Sequence, residues 1–263
     1  MGFLFVGWWV DLNLIRKIDV NIRTDHLPFP MPQRPHSFIQ QWRYLSFLHW
    51  EVDPVRLAPY IPEGLELDIF EEKAYIGTIP FMMTGVRPRL ALSVPGISTF
   101  PEFNIRTYVK QGGKAGVFFI TLDAQSRVTC MYAPYTYGLP YRYAKGRLDI
   151  DGNIYSWKSK RVDDDQELIG SCMGVGETMK AEPGSLDEFL FERYCLYTLH
   201  KKKLCIAYTH HDPWVFRKGE ADVISNTLTK SYDLGISDVL QPDLVHTSGG
   251  VLVHTWSIEE VGE

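Results

Sequence analysis

Beyond residue 40 the chain never holds a helical period for long. Short apolar runs recur between turn signals instead, at about 41–51, 65–70, 73–83, 102–111, 115–123, 142–150, 153–161, 169–178, 193–200, 204–211, 220–229 and 251–259. Runs of that length bounded by Gly, Pro, Asn and Asp read as strands. Strict alternation is plainest in Gly116-Val-Phe-Phe-Ile-Thr-Leu-Asp123 and in Gly249-Gly-Val-Leu-Val-His-Thr-Trp256. Gln111-Gly-Gly-Lys114, Asp151-Gly-Asn153 and the exposed Lys201-Lys-Lys203 fit hairpin turns. Helical signals are few. Asp53 is an N-cap ahead of Pro54, for a turn or two through Tyr60. Ser185 and Glu188 form a capping box opening 186–192. Residues 123–136 read as a helix between two strands, with Pro134 expected to end it. The pattern predicts an α+β chain that is mainly antiparallel β, with a few short helices.

The chain divides into an arm and strap at 1–38 and one β domain at 39–263. Residues 25–37 hold four prolines, which remove donors and block regular pairing. Met1 to Val10 is apolar but too short to span a bilayer and lacks a basic leader. It reads as a docking arm or an oligomer contact, and no membrane association is expected. A net charge of −5 leaves no basic footprint for a nucleic-acid partner. Cys130, Cys172, Cys195 and Cys205 form no C-x-x-C pair and read as buried thiols, which fits a cytoplasmic location.

Polar residues in apolar strands are the candidates for chemistry. Glu102, Asn104, Arg106 and Tyr108 alternate and share one face; Phe103, Ile105, Thr107 and Val109 share the other. Which of the two sets lines an interior is open at this level. His210 and His211 point to opposite faces of a strand, and with His49 they make no recognised ligand spacing, so no metal is expected. No nucleophile elbow, Walker loop or dinucleotide fingerprint occurs, and no cofactor is expected. Trp42, Trp50, Trp157, Trp214 and Trp256 read as core aromatics.

Several phrases, in order, carry a family resemblance. Arg43 to Asp68 resembles the opening of acetoacetate decarboxylase, in which an Asp caps a short helix and a V-P-x-x-L-E-I-D phrase follows. Phe47-Leu-His-Trp50, Glu102 to Val109, Leu139-Pro-Tyr141, Glu192-Arg-Tyr194 and His210-His-Asp-Pro-Trp214 resemble the YqjF-like branch of the same superfamily. The match runs from about Trp42 to Ser257. It implies a closed antiparallel β-barrel or cone with flanking helices and a buried cavity, and by analogy a homo-oligomer.

The resemblance also marks a loss. Acetoacetate decarboxylases use a Schiff-base lysine in an x-P-K-K phrase. Here the phrase reads Leu139-Pro140-Tyr141-Arg142, and neither a phenol nor a guanidinium forms an imine. Lys145 would stand about 13 Å along the strand, at roughly 3.3 Å per residue, and reads as a rim or surface residue. Arg43 aligns with a family active-site arginine and Glu102 with an active-site glutamate. The two form a natural pair, as a salt bridge or as a clamp for an acid. The family match favours Glu102, Asn104 and Arg106 as cavity lining.

Three functions are compatible with this. The first is a domain binding a small acidic or keto/enol ligand, with Arg43, Asn104, Arg106 and Arg142 as contacts. The second is an enzyme without Schiff-base chemistry, of hydratase, aldol or tautomerase type, with Glu102 as acid or base and Tyr141 as proton donor. The third is a structural oligomeric protein whose polar cluster is a salt-bridge network.

Overall fold

The computed structural model describes residues 22–262. The apolar run 1–10 lies outside them. Among the described residues thirteen strands form one sheet. They are β1 (Phe38–Val52), β2 (Glu66–Leu67), β3 (Ala74–Pro88), β4 (Phe100–Gln111), β5 (Lys114–Ala124), β6 (Tyr141–Asp151) and β7 (Ile154–Arg161). β8 (Glu167–Met179), β9 (Cys195–His200), β10 (Lys203–His210), β11 (Phe216–Asn226), β12 (Leu244–Thr255) and β13 (Glu259–Glu260) follow. The helices are short: α1 (Pro54–Leu57), α2 (Arg127–Tyr137), α3 (Leu186–Phe191) and α4 (Thr227–Lys230). Among the described residues no helix is long and apolar enough to cross a membrane.

All pairings are antiparallel except those of β5 with β6 and with β9. β1 pairs with β3, β3 with β4, β4 with β5, β5 with β9, β9 with β10, β10 with β12, and β12 with β1. The hydrogen bonding therefore returns to the strand it started from. β5 is a fork. β4 covers one edge along its length, while β9 takes Val117–Phe118 and β6 takes Leu122–Ala124 on the other.

Where elements differ from the sequence pattern, a local reason is visible. The run 220–229 divides because Asn226 caps α4, accepting from the Thr229 N–H at 3.0 Å. α2 passes through Pro134 and stops at Gly138, whose left-handed φ of 68° suits glycine. Pro134 lacks a donor, yet its carbonyl still accepts the Gly138 N–H at 3.1 Å in the last turn. β12 starts at Leu244, before the Gly249-Gly250 step. Gly250 sits at φ 114°, and a Cβ there would meet the Trp42 carbonyl oxygen at 1.8 Å.

That close approach marks a bulge in β1. Tyr44 has φ 56°, and the β1–β3 register slips between Arg43 and Leu48. Trp42 and Leu45 consequently join the same apolar cluster, with Phe47, although simple alternation would separate them. This cluster centres on Phe81, Phe191 and Trp214. A second cluster holds Trp50, Ile76, Phe103 and Trp157 on the other face of β1, β3 and β4. A third, under the strap, holds Val109, Tyr197, Tyr208 and Trp256, with Phe29 and Met31 packed on it. Each fully buried large side chain contributes roughly 1.5–3 kcal/mol. The strap is tied down by polar contacts as well: Trp256 Nε1 donates to the Arg34 carbonyl at 2.7 Å, and His26 Nε2 lies 2.9 Å from the His211 carbonyl. Cys130, Cys172 and Cys195 are free thiols.

Candidate functional site

A cavity of about 320 Å³ opens against the apolar cluster around Phe191 and Trp214. Its walls come from β1, β4, β5, β10 and the end of β3. Its mouth lies between α2 and the segment 88–98, where Leu92, Val94, Ile97, Val128 and Tyr132 are exposed. Inside, Trp42, Phe119, Phe191 and Trp214 with Val117 and Leu122 make the surface mainly apolar, and no lysine lines it.

Two polar groups meet on this wall. Glu102 reaches it from β4 and Tyr141 from the first residue of β6. Their strands flank β5, where Glu102 pairs with Ala124 and Tyr141 with Leu122. The two side chains meet across β5, with Tyr141 Oη donating to Glu102 Oε2 at 2.7 Å. Glu102 is 2% exposed. Burial pushes its acid up to about 7, helped by the negative charge of Asp123; hydrogen bonds from Tyr141 and Asn104 pull in the other direction. Burial, and then the charge and hydrogen bond of Glu102, hold the Tyr141 phenol well above its ordinary value. The pair thus holds an exchangeable proton near neutral pH in an apolar surrounding.

Arg106 lies on the same face of β4, four residues on. It is buried and lines the cavity. Its Nη2 donates to the Leu190 carbonyl at 3.3 Å, and its guanidinium lies 5.7 Å from the ring centres of Phe47 and Tyr108. Nε is buried without a partner. No carboxylate stands within 4.0 Å of it among the described residues. Asn104 is buried beside Glu102 with its Oδ1 unsatisfied. Tyr108 donates to the Leu190 carbonyl at 3.1 Å and lies 2.8 Å from His49 Nε2.

The other candidates stand elsewhere. Arg43 is exposed and stacks on Tyr44 at 5.3 Å, because the bulge turns it away from the cavity. The expected Arg43–Glu102 pair is therefore absent, and Tyr141 takes that place. Arg142 follows Tyr141 on a strand and so faces the opposite side, where it pairs with Asp163 and, at 2.9 Å, with Asp164. Neither arginine touches the cavity. Lys145 is exposed. His211 lines the cavity, whereas His210 turns to the strap, 2.7 Å from the Arg23 carbonyl. Burial lowers His211 to about 4, so its imidazole is neutral. Among the described residues no three metal-ligating side chains converge.

One lining residue escaped the sequence reading. Arg193 belongs to a phrase noted for its resemblance alone, whereas alternation separates His211 from His210 without deciding which of them faces a cavity. The Glu192-Arg-Tyr194 phrase proves to be a bracket. Glu192 accepts from Tyr194 Oη and, at 3.0 Å, from the Trp214 N–H, while Arg193 pairs with Asp68 at 2.6 Å.

The fold is that of the acetoacetate-decarboxylase-like proteins. Acetoacetate decarboxylase from Legionella pneumophila superimposes with a TM-score of 0.60 at 15% identity, covering 90% of this chain and 93% of that one. The enduracididine biosynthesis enzyme MppR, solved with pyruvate, gives 0.57 at 13% identity over 86% and 89%. In sequence the chain is 36% identical to the uncharacterized protein YqjF of Bacillus subtilis over 200 residues, which is 76% of this chain and 83% of that protein. It belongs to the DUF2071 family, described as an uncharacterized conserved protein, which it matches over residues 39–252.

Proposed function

We propose that this chain binds a small keto, enol or acidic ligand inside a closed β-barrel without forming a Schiff base. The carrying observation is the Tyr141–Glu102 hydrogen bond of 2.7 Å on the wall of an apolar cavity that no lysine lines. A protonated carboxyl beside a phenol offers a donor and an acceptor to a carbonyl or enol, and neither group can supply imine nitrogen. The likeness to a protein solved with pyruvate supports a small oxo acid as the first probe. A salt-bridge network is the weaker account, because Glu102 has no cationic partner and an open cavity lies beside it.

The enzymatic reading has its own support. An acid at about 7 can give and take a proton near neutral pH, which suits enolisation. A thermal-shift screen with pyruvate, acetoacetate and acetylacetone tests binding. A ligand at about 100 times its Kd stabilises by about 2.7 kcal/mol, and a domain of this size moves by roughly 2–4 °C for each kcal/mol. Binding with no borohydride-trappable adduct is expected. Exchange of acetylacetone's α-protons in D2O, abolished in Glu102→Gln, would make the chain an enzyme. No shift with any probe would sink the ligand site.

A further inference from the structure

Among the described residues, the cavity wall carries one arginine without an ion-pair partner. Each other titratable group near it is neutral or paired. Arg193 is held by Asp68 at 2.6 Å, and His246 faces Asp187 at 3.3 Å. Burial lowers both His49 and His211, so both rings are neutral. Glu102 is engaged by Tyr141 and stands four residues away along β4, about 13 Å at roughly 3.3 Å per residue. Arg106 has one carbonyl, two aromatic rings and an unpartnered Nε. A buried cation left in that state is costly, because desolvation is not returned by an ion pair.

Resting on the reading that the cavity is a ligand site, we propose that Arg106 anchors the carboxylate of an elongated, apolar monocarboxylic acid. Three features select that class. A guanidinium fork matches a carboxylate in geometry and charge. The second cation on the wall, Arg193, is already held by Asp68 at 2.6 Å, so a dianion would bury one charge unpaired. The mouth is lined by exposed Leu92, Val94, Ile97 and Val128, which suits an alkyl or aryl body running from Arg106 past Glu102 and Tyr141 toward solvent. Pyruvate-sized acids would satisfy Arg106 and leave most of the apolar surface wet.

The test compares octanoate, octanol, octylamine and butyrate by calorimetry on wild type, Arg106→Met and Arg43→Met. Wild type should bind octanoate at least tenfold more tightly than octanol or butyrate, and octylamine not at all. Arg106→Met should bind octanoate no better than octanol, while melting no lower than wild type without ligand. Arg43→Met, outside the cavity, should keep the preference for octanoate. Octanol binding as well as octanoate to wild type would remove Arg106 as anchor and leave the cavity reading intact. Binding of pyruvate or acetylacetone but of no octyl compound would overturn the elongated class alone. Arg106→Met melting several degrees lower would assign Arg106 to the scaffold and overturn the proposal. Failure of every compound, small oxo acids included, would sink both readings.

Discussion

Glu102→Gln should stabilise the protein above neutral pH and leave it unchanged in acid. In the unfolded chain this carboxyl titrates at 4.5; folded, burial raises it to about 7. A raised folded value means that the native state holds the proton longer. The associated stability is fully present below 4.5 and is lost as pH climbs through about 7. At about 1.4 kcal/mol for each pH unit between the two values, the buried charge costs about 3 kcal/mol at pH 8. Glutamine keeps an acceptor for Tyr141 and never ionises, so the substitution removes that cost. At roughly 2–4 °C for each kcal/mol, the variant should melt roughly 6–12 °C above wild type at pH 8 and level with it at pH 4.5. Thermal melts of both proteins from pH 4.5 to 8.5 give the difference curve, in which buried acids shared by both, such as Glu192, cancel. A difference that is flat with pH, or a variant less stable in alkali, would refute the claim that Glu102 is dry and uncompensated.

Three further outcomes are expected. Tyr141→Lys returns an amine beside Glu102 at the family's imine position, and acetoacetate with borohydride should then leave a covalent mass increment that wild type does not show. Asp123→Asn takes from Arg161 its buried carboxylate, 2.9 Å away, leaving it the partly exposed Asp164 at 3.3 Å, and should cost about 3 kcal/mol in urea melts. Gly250→Ala drives a methyl into the Trp42 carbonyl; circular dichroism should report either no fold or a melting point many degrees lower.

Much of the sheet was legible because its turns carry explicit chemistry, as at Gly112-Gly113 and Gly152. The shared face of Glu102 and Arg106 was legible for the same kind of reason: β4 keeps one register with β3 from Phe100 to Thr107, and its slip against β5 puts the extra residue on β5, so simple alternation holds along β4. Arg142 was also within reach, since a neighbour of Tyr141 on a strand must face away. Arg43 was not. The residue that reverses its direction is Tyr44, an ordinary aromatic, and the glycine that makes room lies on β12, far along the chain. Arg193 was missed because the wall it shares with Trp42 is assembled only when β1 and β10 close on β12, and the same closure decides that His211 rather than His210 faces the cavity.

The left-handed step at Tyr44 sets the phase of β1. On its two sides the same strand presents its side chains inward on opposite parities, while pairing with β12 stays in step from Phe38 to His49. Loss of one codon here would exchange the inward and outward sets of the first half of the strand at a stroke. Among relatives, an arginine in this column of an alignment therefore indicates nothing about a cavity contact until the length of the bulge has been compared. Cavity chemistry at the mouth end of β1 can be rewritten by an indel as readily as by substitution.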